Sequence, residues 1–264
     1  MFGFLEATII KMSIFNLLLF FITLIGGSIP LLVTTVNEKG TNYLLAFSGS
    51  FLLSITLLHL IPETFTELGG HEAGALVLAG FFLQFIIQRL THGVEHGHSH
   101  TNGHHHHHGH EHHLHTQAAL PLTAVLFGLS LHAFMEGIPL GFNYRMGATE
   151  TALYLAVAAH KLPEAILLTA LVISQKGKQR AFTVLLFFAL ITPIASFLSE
   201  NLGKHYLHLS NIIIWIIPIV AGAFIHISTT IFFESGTRHH AMTIPKVFAI
   251  LLGVIAGLMT LIFG

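Results

Sequence analysis

The sequence has no cysteine and no aspartate, and only 9% of its 264 residues are charged. Without cysteine there is neither a disulfide framework nor a thiolate metal site. A soluble domain carries about 25% charged residues, so the shortage of charge excludes a soluble enzyme. No GxxxxGK[ST] loop is present, which removes the usual device for coupling transport to nucleotide hydrolysis. The metalloprotease pattern HExxH is also missing. A formal net charge of −1 offers no basic footprint for nucleic acid.

What fills the chain is apolar. Hydrophobic residues make up 53% of it, and mean hydropathy is +0.76. A spanning helix needs about 20 mostly apolar residues. Stretches meeting that need lie at roughly 12–36, 43–66, 73–90, 118–143, 149–173, 181–201, 211–233 and 244–263. The segment before Lys11 lacks a basic n-region, and the apolar run after it is too long for a signal-peptide core. The first stretch is therefore expected to be a retained span. The pattern predicts an all-α polytopic membrane protein with eight transmembrane helices. Three of them fall within 1–90 and five within 118–264.

The connections are short and rich in turn formers, as in "NEKGTN" and "SQKGKQR". The exception is 91–117, a His-rich stretch holding 13 of the 22 histidines. It has too little apolar content to build a core and is expected to be disordered. Its composition suits weak binding of metals at many sites. Orientation follows from the Lys/Arg bias of the loops. Lys39, Arg89, Lys176, Lys178, Arg180, Arg238 and Lys246 fall on one side, and Lys11, Arg145 and Lys204 on the other. The first side is expected to be cytoplasmic, with both termini outside and the 91–117 loop inside. The expected location is the cell (inner) membrane.

Three segments repeat one spacing: "HLIPE" (59–63), "HAFME" (132–136) and "HKLPE" (160–164). A His and a Glu four residues apart share one helix face, one turn apart. An imidazole nitrogen and a carboxylate oxygen together form a bidentate arm for a divalent cation. His132, Glu136, His160 and Glu164 lie near the middle of the fourth and fifth spans. Two such arms supply the four ligands of tetrahedral zinc. Mixed imidazole and carboxylate donors suit Zn, Fe, Mn or Cu better than Ca or Mg. The competing explanation is structural ion pairing, but ionisable groups inside a bilayer point first to function. A charge there costs at least about 2.5–3.5 kcal/mol.

His59 and Glu63 fall at the end of the second span, where an interfacial role and a pore-entrance site compete. His226 stands alone in "AGAFIHIS". Pro62, Pro139 and Pro163 each remove a backbone hydrogen bond and tend to kink a helix; a tolerated kink competes with a freed carbonyl lining a polar cavity, and the position of Pro163 beside Glu164 favours the cavity there. Lys161 follows His160 and points about 100° away around the helix. It is expected to turn into the cavity and neutralise a carboxylate there. Gly137-x-x-x-Gly141 and Gly253-x-x-x-Gly257 allow close helix approach.

"LHAFMEGIPLG" and "AHKLPEA", in this order and flanking a His-rich loop, resemble the fourth- and fifth-span signatures of the Zrt/Irt-like protein (ZIP) family of divalent metal transporters. The resemblance covers essentially the whole chain. It implies a primary transport site of His132, Glu136, His160 and Glu164, with Zn2+, or Fe2+, Mn2+ or Cd2+, as transported substrate and no catalytic cofactor. It also implies a homodimer embedded in the lipid bilayer, no nucleic-acid partner, and elevator-like alternating access. Family members with two adjacent metals use an Asn after the fourth-span His and an acidic residue second in the fifth-span motif. Here those positions hold Ala133 and Lys161, which implies a single-ion site. Two alternatives belong to other classes. One is a membrane-embedded zinc-dependent hydrolase, which also needs an open metal position and a general base. The other is a metal exporter, though cation-diffusion exporters have six spans with HxxxD-like pairs.

Overall fold

In a computed structural model, residues 2–33, 35–90, 122–142, 150–234 and 243–263 are described. The His-rich stretch, Arg145 and Arg238 lie outside them. Among the described residues the chain is helical, with no strand. In chain order the helices are α1 (Phe2–Leu32), α2 (Glu38–Ile55), α3 (Ile61–Leu68), α4 (Gly70–Leu90), α5 (Leu122–Gly141), α6 (Glu150–Lys176), α7 (Lys178–His205), α8 (Leu207–Glu234) and α9 (Ile244–Phe263). A π-helical turn, Thr56–Leu60, joins α2 to α3. Among the described residues eight stretches are long and apolar enough to cross a membrane, and the α2–α3 unit forms one of them.

Helices are the expected solution, because hydrocarbon offers no partner for a free N–H or C=O. Polar side chains inside the spans follow the same rule. The hydroxyls of Thr23, Ser54 and Thr56 each donate to a carbonyl one turn back on their own helix. The π turn marks where Pro62 enters the second span. Proline lacks an N–H and its ring crowds the carbonyl four residues earlier. The chain widens there, and the Ile61 N–H donates to the Thr56 carbonyl, five residues back. Pro139, Pro163, Pro193 and Pro218 are carried inside α5, α6, α7 and α8.

The helices pack in two groups. In one, α6 and α7 pack on α1, and α5 packs on α7. In the other, α4 packs on α8, and α2 on α8 and α9. The groups meet chiefly along α2–α6 and α7–α8. Small residues set the closest approaches within each group. A Cβ on Gly141 would overlap the Ser196 carbonyl oxygen of α7, and one on Gly253 would overlap Ser50 Oγ of α2. Gly80 of α4 and Gly222 of α8 each meet the other helix's backbone in the same way. The outward faces of α4 and α9 expose Phe82, Phe85, Ile86, Phe248, Leu251 and Ile255, a surface matched to lipid tails. The main apolar core joins Phe51, Leu52 and Ile55 of α2 to Leu153 and Val157 of α6 and to Val220 and Phe224 of α8.

Candidate metal centre

The i,i+4 spacing of α5 places His132 above Glu136, and α6 presents His160 and Glu164 in the same way. The two helices bring all four side chains into one buried cluster. One ligand atom from each lies within 4.8 Å of every other. It is the one such group of three or more metal-ligating side chains among the described residues. Tetrahedral zinc with bonds of about 2.0–2.1 Å needs ligand atoms about 3.4 Å apart, so a modest contraction closes the cluster around an ion.

His132 Nε2 lies 3.2 Å from Glu136 Oε1 and 3.8 Å from Glu164 Oε1. The His132 and His160 rings meet edge to face, with centroids 5.7 Å apart. Glu136 is 0% exposed within the chain. His132 Nε2, His160 Nδ1, both carboxylate oxygens of Glu136 and Glu164 Oε1 are all buried without a hydrogen-bond partner. Buried polar atoms are normally satisfied. Unsatisfied imidazole nitrogens and carboxylate oxygens gathered in one buried cluster are what a cation site requires.

Lys161 turns into the cluster, as the sequence leads one to expect. Its Nζ contacts Glu136 Oε2 at 2.5 Å and donates to Glu164 Oε2 at 2.6 Å. Two carboxylates and one ammonium sum to one negative charge before the imidazoles are counted. An uncompensated pair of buried carboxylates would be far more costly. Pro163 sits beside Glu164 inside α6, and without an N–H it leaves the Ala159 carbonyl free of its usual helical donor.

Two groups outside both signatures hold the cluster in place. Thr192 of α7 donates to the Ala133 carbonyl at 2.9 Å, pinning α5 beside His132. The ring of Phe188, also on α7, has its centroid 4.9 Å from the Lys161 ammonium. Neither stood out in the sequence, because α7 reads as an apolar span and its register against α5 and α6 is a tertiary property. The other intramembrane histidines are not drawn in. His59 lies on the π turn, where its Nε2 is 2.7 Å from Thr260 Oγ1 of α9. His226 joins α8 to α4, with Nε2 2.6 Å from Gln88 Oε1 and the rings of Phe81 and Phe85 against its edge. Glu63 is half-buried on α3.

A family model described as ZIP zinc transporter matches residues 9–262. No curated protein matches the chain.

Proposed function

The chain belongs to the ZIP zinc transporter family, a family of divalent metal transporters and not of enzymes, and from that premise we propose that it moves zinc-like cations into the cytoplasm through one site. The site residues are His132, Glu136, His160 and Glu164. The observation that carries this reading is the convergence of four buried side chains from α5 and α6, each with an unsatisfied atom.

In this proposal each residue has a separate task. His132 and His160 supply neutral imidazole donors, which favour borderline transition metals over calcium and magnesium. Glu136 and Glu164 supply the negative charge that attracts a dication into a low-dielectric site. Lys161 replaces a second cation, so one ion occupies the site at a time. Arrival of a dication turns the net charge from −1 to +1, which keeps binding weak enough for release.

Movement follows from the two helix groups. The site lies wholly on α5 and α6, within the group that includes α1 and α7. Sliding that group against α2–α4, α8 and α9 exposes the site to one side and then the other, without ATP. The placement of Lys and Arg in the loops supports the orientation of the chain, and inward direction rests on the family resemblance. The homodimer is supported by the family resemblance alone.

The test is metal influx into sealed proteoliposomes with a trapped zinc indicator. Wild-type protein should give influx and Glu164→Ala none, with both proteins equally folded. Equal influx by the two would remove the site assignment. No influx by wild type would remove the transport reading.

A further inference from the structure

The cluster holds more order than four ligands require, and the source of that order is Lys161. It is 1% exposed and among the largest fully buried side chains. Its ammonium takes one oxygen from each carboxylate, Oε2 of Glu136 and Oε2 of Glu164. The other oxygens, Oε1 of both, lie on the side of His132 Nε2, at 3.2 and 3.8 Å, while Glu136 Oε2 meets the ammonium as an ion pair without a hydrogen bond. Phe188 backs the ammonium on a third side, with the ring centroid 4.9 Å away. An aromatic face within about 6 Å attracts an ammonium through its quadrupole, so the lysine is seated and not merely near.

A free carboxylate binds a cation through one oxygen or through both. Bidentate binding raises the coordination number and suits ions that prefer more oxygen ligands. Four single-atom ligands suit tetrahedral zinc. Building on the transport reading above, we propose that Lys161, seated on Phe188, is a specificity-determining positioning residue. By holding Oε2 of Glu136 and Glu164 it restricts each to one ligand oxygen and so favours zinc over manganese. Lys161 touches the ligands and not the ion.

Lys161→Met keeps an unbranched stem and removes the ammonium. Both carboxylates then gain a second free oxygen, and the site gains one negative charge. Every dication should bind more tightly, and manganese should gain most because it uses the extra oxygens. Release should slow, so turnover should fall as KM falls. A residue that only filled space would not change the preference between two ions.

The experiment is initial influx into proteoliposomes of the full chain, over a range of Zn2+ or Mn2+, with a trapped dye that reports both. Flux is read because the His-rich loop would confuse a binding stoichiometry. The ratio of the manganese KM to the zinc KM should fall on the order of tenfold or more in Lys161→Met. Phe188→Leu leaves the lysine but removes its seat, and should shift the ratio the same way by less. It also carries the test alone if Lys161→Met does not fold. Wild-type zinc influx with an unchanged ratio in the folded variants overturns this inference and leaves the transport reading standing. No wild-type influx of either ion overturns both.

Discussion

Glu136 is the residue on which the charge balance of the centre turns. It is fully buried, 3.2 Å from His132 through one oxygen and 2.5 Å from Lys161 through the other. Removing it leaves the ammonium with Glu164 alone and takes away one of four ligands. Breaking a buried charge pair from one side costs about 3–5 kcal/mol, so Glu136→Ala should lose uptake and also lower thermal stability in detergent. His160→Ala removes a ligand without unbalancing charge, so it should lose uptake at near wild-type stability. The comparison separates ligation from ion pairing: uptake retained in His160→Ala would exclude that imidazole as a ligand. Protons also compete with metal for imidazole nitrogen. Zinc uptake should therefore require more metal as pH falls from about 7 to about 5, across the ordinary imidazole range. A KM independent of pH over that interval would argue against both histidines.

At the scale of elements, the centre depends on how closely α5 can approach α7. Gly137 and Gly141 lie directly on backbone atoms of Thr192, Ser196 and Glu200, and the Thr192 hydroxyl bonds the Ala133 carbonyl in the same seam. Nothing in that contact is a flexible side-chain end able to move aside. Gly141→Leu should separate the helices and displace His132 and Glu136 with them. Overpacking costs about 1–3 kcal/mol, and backbone overlap places this case at the upper end. The expected result is a lower melting temperature with uptake lost together; a variant with unchanged melting and uptake would mean that the seam does not position the site. The sequence marks Gly137 and Gly141 as a spacing that allows close packing. It does not say which helix they meet, because a GxxxG face is the same whatever lies across it.

For the molecule as a whole, the proposed mechanism requires the two helix groups to move against each other. Leu167 of α6 packs against the cluster of Leu45, Ile227 and Ile231, which belong to α2 and α8 of the other group. The chain has no cysteine, so a pair introduced at Leu45 and Leu167 would react without background. Joining them with a short bis-maleimide should stop uptake, while either single variant treated alike should continue. Uptake that survives complete cross-linking would mean that ions pass without relative movement of the groups.

The amino-acid sequence by itself determined the spans and the His/Glu pairs. Apolar length is a one-dimensional property, and the i,i+4 rule ties His132 to Glu136 and His160 to Glu164 within single helices. The 91–117 stretch is expected to be a loop from composition alone, and it lies outside the described residues. The range 244–263 coincides with α9, whose ends are set by a local change in polarity. The second span is less regular than its apolar pattern, because Pro62 forces a π turn that hydropathy does not record. Only the tertiary structure decided that the two His/Glu pairs face each other and that His59 and His226 bond elsewhere. It also decided that Lys161 divides the carboxylate oxygens while resting on Phe188. Those outcomes depend on the rotation and depth of one helix against another. Interhelical packing fixes both, and no spacing within a single helix carries that information.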